Sequence, residues 1–448
     1  MNSSAPAGSL AAALLLALLP VAAHADNPPA LAGGGESDAF AIHGQATFTD
    51  QYHPRFSSPY QGPYSLNPGQ RGDETADATL YLGVRLWRGA EVWIDPEIDQ
   101  GFGLSATLGV DAFTSGEAYK IGKSTPYPKL PRAFLRQTID LGGAKHKTDA
   151  DLNSFAGETT ENRLVLTVGK LSVVDVFDTN KYAHDPRNDF LNWGMIDTAT
   201  YDYAANAWGY TYGAALEWYQ GGWTLRGGLF DLTLVPNSTH LDEHAHQYQT
   251  DAEVERDYTV FGRDGAIRLT GFLSDGRMAR YADAVALAMA TGDPANVALV
   301  RHFHARTGLS MNLEQAVSED LGVFARAGHA EPQFEAFEFT DMDNSIAVGL
   351  SLKGPSWNRK EDAVGLAVER GEASHDAIAY FNAGGLGILA GDGKLPHPGP
   401  ETVIETYYRL PVATYAHVTA DYQFFVNPAF NRDRGPVSVF GVRLHLQL

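Results

Sequence analysis

The run FGVRLHLQL that closes the chain alternates without a fault. Phe440, Val442, Leu444, Leu446 and Leu448 fall on one side, Gly441, Arg443, His445 and Gln447 on the other. Successive side chains of a strand point to opposite faces, so this is a two-faced strand. The pattern recurs from Phe40 onward. FAIHGQATF sets Phe40, Ile42, Ala46 and Phe48 against His43, Gln45 and Thr47, and TLYLGVRLW sets Leu80, Leu82, Val84 and Leu86 against Tyr81, Gly83, Arg85 and Trp87. EVWIDPEID sets Val92, Ile94 and Ile98 against Glu91, Trp93, Asp95, Glu97 and Asp99. Further alternating runs cover 132–141, 164–171, 209–219, 223–234, 266–273, 321–328, 345–353, 363–370, 404–410 and 417–424. In 223–234 the phase slips near Gly227-Gly228, which predicts a bulge.

These runs often reach nine residues or more, and their polar face carries full charges. A strand that crosses a bilayer needs about 9–11 residues, apolar outside and polar inside. No segment after the N-terminus offers the roughly 18 consecutive apolar residues of a transmembrane helix, so a membrane position requires strands. The connections are lopsided, some as short as 88–90 and 220–222, others as long as 51–73, 99–131 and 235–257. Short turns at one end and long loops at the other are the habit of outer-membrane barrels. The sequence therefore predicts an all-β fold, a transmembrane antiparallel β-barrel. One segment, 277–290 (RMARYADAVALAMA), is Ala-rich without Gly or Pro and predicts a short helical insertion stopped by Gly292-Asp293-Pro294. A soluble periplasmic sugar-binding protein is the rival, with the same faces meeting a core and water.

The apolar stretch 10–23, followed by Ala23-His24-Ala25, predicts a signal peptide over 1–25. A Pro/Gly-rich, flexible periplasmic lead-in at 26–39 and a single barrel domain at 40–448 follow. A net charge of -21 argues against nucleic acid, which needs a basic face. The absence of cysteine excludes a disulfide scaffold, thiolate metal sites and a cysteine nucleophile. His240 to His246 (HLDEHAH) reads as an acidic surface loop, and Gly385 to Gly391 (GLGILAG) as a turn-rich loop without the flanking pattern of a dinucleotide site. No cofactor, metal or catalytic residue is expected, and no serine–histidine spacing singles out a barrel hydrolase.

The inward charges are more informative. Arg85, Arg136, Arg268, Arg326, Arg409 and Arg443 sit on polar faces of separate runs, as do Glu97, Glu405 and Asp421. Guanidinium and carboxylate groups offer planar, directional hydrogen bonds that sugar hydroxyls can use. Trp93 and Tyr407 add flat surfaces for the C–H faces of a pyranose. These eleven are the candidate pore-lining residues. The same charges could also pair with one another and merely satisfy the interior of a barrel.

ETVIETYYRL (401–410), ADYQFFVNPAFNRDRGPVSVFGVRLH (420–445), AVGLSLKG (347–354), LEQAVSEDLGVFARAGH (313–329) and TVGKLSVVDVFDTN (167–180) together resemble the carbohydrate-selective porins of the OprB type. The early pieces TLGVDAF and GEAYKIG agree as well. The resemblance implies one barrel of about sixteen strands in the outer membrane of a Gram-negative bacterium. It implies passive diffusion of mono- and oligosaccharides past a constriction of inward-folded loops, for which 175–193 and 112–131 are candidates. A general or anion-preferring porin on the same fold is the alternative. Expected partners are small sugars and the lipid and lipopolysaccharide of the outer membrane; a homotrimer is compatible with the resemblance.

Overall fold

The computed structural model describes residues 31–242 and 244–448, so the expected signal peptide lies outside the described residues. Sixteen antiparallel strands, from β2 (Phe40–His53) to β17 (Val437–Gln447), pair each with the next, and β17 closes on β2. At the seam Leu448 N–H donates to the Gly44 carbonyl at 2.7 Å and Gly44 N–H to the Leu448 carbonyl at 2.8 Å. A two-residue strand, β1 (Ala32–Gly33), pairs with Ile42 and Ala41. The described part of the lead-in, expected to be flexible, is thus tied to the barrel.

The alternation read from the sequence is the alternation observed. Leu80, Leu82, Val84, Leu86, Ile94, Ile98, Val348 and Phe440 are exposed on the outer wall, whereas Tyr81, Trp93, Glu97, Arg326 and Arg443 are buried inside. A belt of bare Leu, Val and Ile around a whole molecule is far larger than the apolar patches of soluble proteins, and lipid is the solvent that covers it. The last two positions of the closing strand's apolar row depart from this. Leu446 is buried against Ala46 and Ala416, and Leu448 is also buried.

Connections after even-numbered strands are long (54–70, 102–122, 172–210, 232–247, 279–301, 331–343, 373–400, 427–436). Those after odd-numbered strands are mostly tight turns, such as 88–89, 221–222, 261–262 and 414–415. Two strands lie outside the alternating runs. In β9 (Tyr248–Val260) the outward row is weakened by Thr250 and Ala252, and the inward row is Gln249, Asp251, Glu253 and Glu255. In β11 (His302–Ala316) Ala305 and Thr307 interrupt the outward row. The expected bulge at Gly227-Gly228 is absent. β8 (Trp223–Asp231) pairs without interruption on both sides, and the slip reflects an inward Phe230 whose ring covers Gly228. The helix begins later than expected, at Tyr281–Thr291, because Arg277 and Met278 still belong to β10 (Arg263–Met278). The loop expected at 112–131 ends sooner, since β5 (Lys123–Thr148) starts at Lys123.

An arginine placed at Val348, in the middle of β13 (Asn344–Lys353) and 49% exposed, is expected to lower barrel stability by about 2–4 kcal/mol if that face meets hydrocarbon. Denaturant unfolding of V348R in liposomes checks this; a loss under about 1 kcal/mol would place the residue at an interface or in water.

Candidate functional site

The lumen is not an open tube, because the connection 172–210 folds into it and the inner wall grips its backbone. From β12 (Leu321–Ala330), Arg326 donates to the carbonyls of Met195 at 2.6 Å, Ala183 at 2.7 Å and Asp178 at 3.3 Å. Arg443 of β17 donates to the carbonyls of Asp189 at 3.0 Å and of Pro186. From β15 (Glu401–Ala413), Glu405 accepts the N–H groups of Leu191 at 2.5 Å and Asn192 at 3.1 Å, and Arg409 reaches the Asn188 carbonyl at 3.3 Å. Tyr407 meets Phe190 edge to face at 5.0 Å between ring centres. Asp421, beside Glu405, accepts from the Gln423 amide at 3.0 Å, and that amide also donates to the Thr114 carbonyl at 2.8 Å. A buried backbone group needs a partner, and these wall residues supply it.

Other loops are held by carboxylates in series. Glu401 accepts N–H groups of Asp111, Ala112 and Ala429; Asp111 accepts that of Asp341; Asp341 accepts those of Ile388 and Leu389. The glycine-rich turn at 385–391 therefore closes on a carboxylate of the protein itself. Inside the resulting plug, Trp193 stacks between Phe113 at 5.3 Å and Phe339 at 5.2 Å, and Tyr203 lies 4.2 Å from Phe339.

Filling one side of the lumen leaves the space on the other. A cavity of about 440 Å3 is bounded by Lys120, Arg132, Arg136, Arg187, Glu117 and Asp175 among others, with the edges of Phe113, Trp193 and Phe339 along it. A larger chamber of about 1110 Å3 lies toward the turn end. Arg136, Asp175, Val176 and Glu217 line both, so the two spaces adjoin there.

Each cation along the smaller cavity lies within 4 Å of a carboxyl group. Lys120 lies 3.3 Å from Glu338, Arg132 grips Asp175 with two bonds of 2.7 and 2.5 Å, and Arg136 lies 2.9 Å from Glu91. Arg187 sits 3.3 Å from Glu117 and 3.7 Å from Asp77. Behind them Lys129 bridges Glu97 and Asp99 at 3.0 Å each, with its ammonium 3.3 Å above the Tyr119 ring.

Of the eleven candidates, Arg136 and Arg85 line the passage. Arg85 also donates to the carbonyls of Gly35 and Asp38 at 3.2 and 3.0 Å. Trp93 is fully buried with Phe155 5.1 Å from it, so its faces are not free for a sugar. Glu97 accepts from Thr79 and Tyr119 inside the wall, and Arg268 is buried between Glu255 and Glu314. Arg326, Arg443, Glu405, Arg409 and Tyr407 hold the inserted loop, and Asp421 bonds Gln423 beside Glu405. Lys120, Arg132, Arg187, Glu117 and Asp175 were not singled out one by one, although four of the five fall within the loops 112–131 and 175–193.

Replacing Arg326 by Ala leaves the Met195 and Ala183 carbonyls without their donor, each worth about 1–3 kcal/mol when buried, while the Asp178 carbonyl keeps the Asn312 amide; it is expected to loosen 172–210 and raise channel conductance. Conductance equal to the parent's would show that the loop holds without this clamp. The plug is also expected to weaken at alkaline pH. Burial, with the charge of Asp178, pushes Asp197 up to about 7, and burial pushes Glu338 up to about 8. Both bind a proton more tightly than in an unfolded chain, where such groups titrate near about 4, so their stabilisation is full below that pH and is lost as pH rises through 7 and 8. His184, held low by burial, acts in the opposite sense only below about 6.5. Hydrogen exchange of 172–210, corrected for intrinsic rate, should be faster at about pH 8.5 than at about pH 6.5; the reverse order would contradict this assignment.

Comparison with known proteins agrees with this geometry. Residues 64–448 match the family described as "Carbohydrate-selective porin, OprB family". A structure titled "High pH structure of Pseudomonas putida OprB" superimposes with a TM-score of 0.67 at 15% identity, covering 92% of this chain and 94% of that one. The outer membrane channel DcaP of Acinetobacter baumannii gives 0.50 at 9% identity over 93% and 100%. Among curated relatives, Porin AaxA of Chlamydia pneumoniae is 26% identical over 146 residues, which span 32% of this chain and 28% of that protein. With a family match over most of its length and a closed barrel whose lumen is narrowed by its own loops, the chain belongs to the OprB family of carbohydrate-selective porins.

Proposed function

We propose that this outer-membrane porin lets small neutral carbohydrates diffuse down their gradient through the passage beside the plug. Residues 1–25 serve as the cleaved export signal, and the tight-turn end faces the periplasm. The observation that carries the reading is charge pairing. Each arginine along the smaller cavity meets a carboxylate within 4 Å. Such a wall has no excess of cations to concentrate an anion, while its many fixed donors and acceptors can exchange hydrogen bonds with hydroxyl groups as a hydrated sugar moves past. The aromatic edges of Phe113, Trp193 and Phe339 bound the same space without adding charge.

Liposomes carrying the protein are expected to swell faster in neutral hexoses and disaccharides than in organic anions of equal size. Faster entry of the anions would favour the anion-preferring reading. Removing one cation should tilt the balance: Arg132→Ala leaves Asp175 unpaired in the passage, so the reversal potential in a salt gradient is expected to move toward cation selectivity while the barrel still folds. No shift would mean that Arg132 lies outside the field felt by a permeating ion.

A further inference from the structure

The β5–β6 connection is unlike its neighbours at the turn end. Pairing of β4 (Ala90–Gly101) with β5 stops at Gln137, and pairing of β6 (Gly157–Leu171) with β7 (Thr211–Gln220) begins at Arg163. Beyond those points the two strands pair only with each other, so the hairpin runs past the barrel rim. Its register breaks between Asp140 and Lys145, around Gly142 and Gly143, whose φ values of +98° and +92° suit glycine. The hairpin bends there and its tip, 149–156, returns to the lumen.

The tip is fastened on several sides. Asn153 donates its amide to Asp95 at 3.1 Å, and its carbonyl accepts from Arg136 at 2.8 Å. The Ala156 carbonyl accepts from Arg85 at 2.6 Å, and Ala156 N–H donates to Gly34 at 3.0 Å. Phe155 lies against Trp93, Gln447 of the closing strand donates to Asp151 at 3.2 Å, and Asp151 and Ser154 exchange two backbone bonds of 3.0 Å. A solvated turn needs none of this. The position matters as much as the bracing, because Leu152 and Asn153 line the smaller cavity whereas Ser154, Phe155 and Ala156 line the larger chamber. The tip therefore stands between the two spaces.

We propose that this returned hairpin tip, centred on Leu152 and Asn153, is a size-selecting constriction at the turn-end exit of the channel, distinct from the narrowing made by the long loops. It rests on the porin reading only for the identity of the solute. Replacing 141–162 by a two-residue Asn-Gly turn, which joins the paired Asp140 and Arg163, is expected to raise single-channel conductance at least about twofold and to admit longer oligosaccharides in liposome swelling. Because the chain has no cysteine, Asn153→Cys places one thiol at the tip. Its reaction with a charged methanethiosulfonate should cut conductance by more than about half, a readout that does not depend on the deletion folding. Unchanged conductance after labelling, or in a deletion variant that keeps the heat-shifted gel mobility of a folded barrel, overturns the proposal. A conductance change without any preference for neutral sugars would sustain the constriction and sink the carbohydrate reading.

Discussion

A strand inside a bilayer has no water to bond its N–H and C=O groups, so every one of them must find a partner in another strand. An open sheet cannot satisfy this, since its two edges remain bare. The paired bonds between Gly44 and Leu448, which complete the join of β17 to β2, are thus the contact on which the architecture depends. Closure also fixes what the side chains do. With hydrocarbon outside, all polar groups must point inward, and a sixteen-stranded ring encloses more space than inward side chains alone can fill. The long loops fill it, and they bring their own unsatisfied backbone with them.

The inner wall meets that demand. Arg326 and Arg443 are among the most deeply buried large side chains in the protein, and their hydrogen bonds run largely to loop carbonyls. Glu401 and Glu405 do the converse with loop N–H groups. A charged group is a stronger partner than a neutral one, and a guanidinium can reach several carbonyls at once, which suits a peg for irregular backbone. The plug therefore consists of backbone held by charge plus an apolar centre around Trp193, and the passage is the space that this arrangement leaves.

Most of the barrel was legible because its outer rows are Leu, Val and Ile, which nothing but a buried or lipid-facing surface explains. β9 escaped because its outward Thr250 and Ala252 give no apolar signal, and β11 because Ala305 and Thr307 interrupt one. Periodicity also told which way Arg326 points but not what it meets, since a lumen arginine can face water or a loop and both look alike in a strand pattern. The route of 172–210 is a tertiary fact. Lys120 and Arg187 lie on irregular segments with no period at all, so only the mixture of charge and aromatics in their loops marked the region.

Narrowing the passage with fastened backbone has a consequence for how selectivity is set. The loop 172–210 is gripped from β12, β15 and β17, and the hairpin tip from β3 (Arg71–Trp87), β4, β5 and the chain end. In both cases the clamp lies in the rigid wall and the element that limits the bore is what the clamp holds. Passage dimensions then depend on residues that a solute need never touch, as Arg326 and Asp95 illustrate. Groups that do face the solute, such as Arg132 with Asp175, are already paired, so they offer hydrogen bonds without holding a charge tightly enough to trap what passes. A diffusion channel needs that combination, because a site that bound its solute firmly would slow the release on which flux depends.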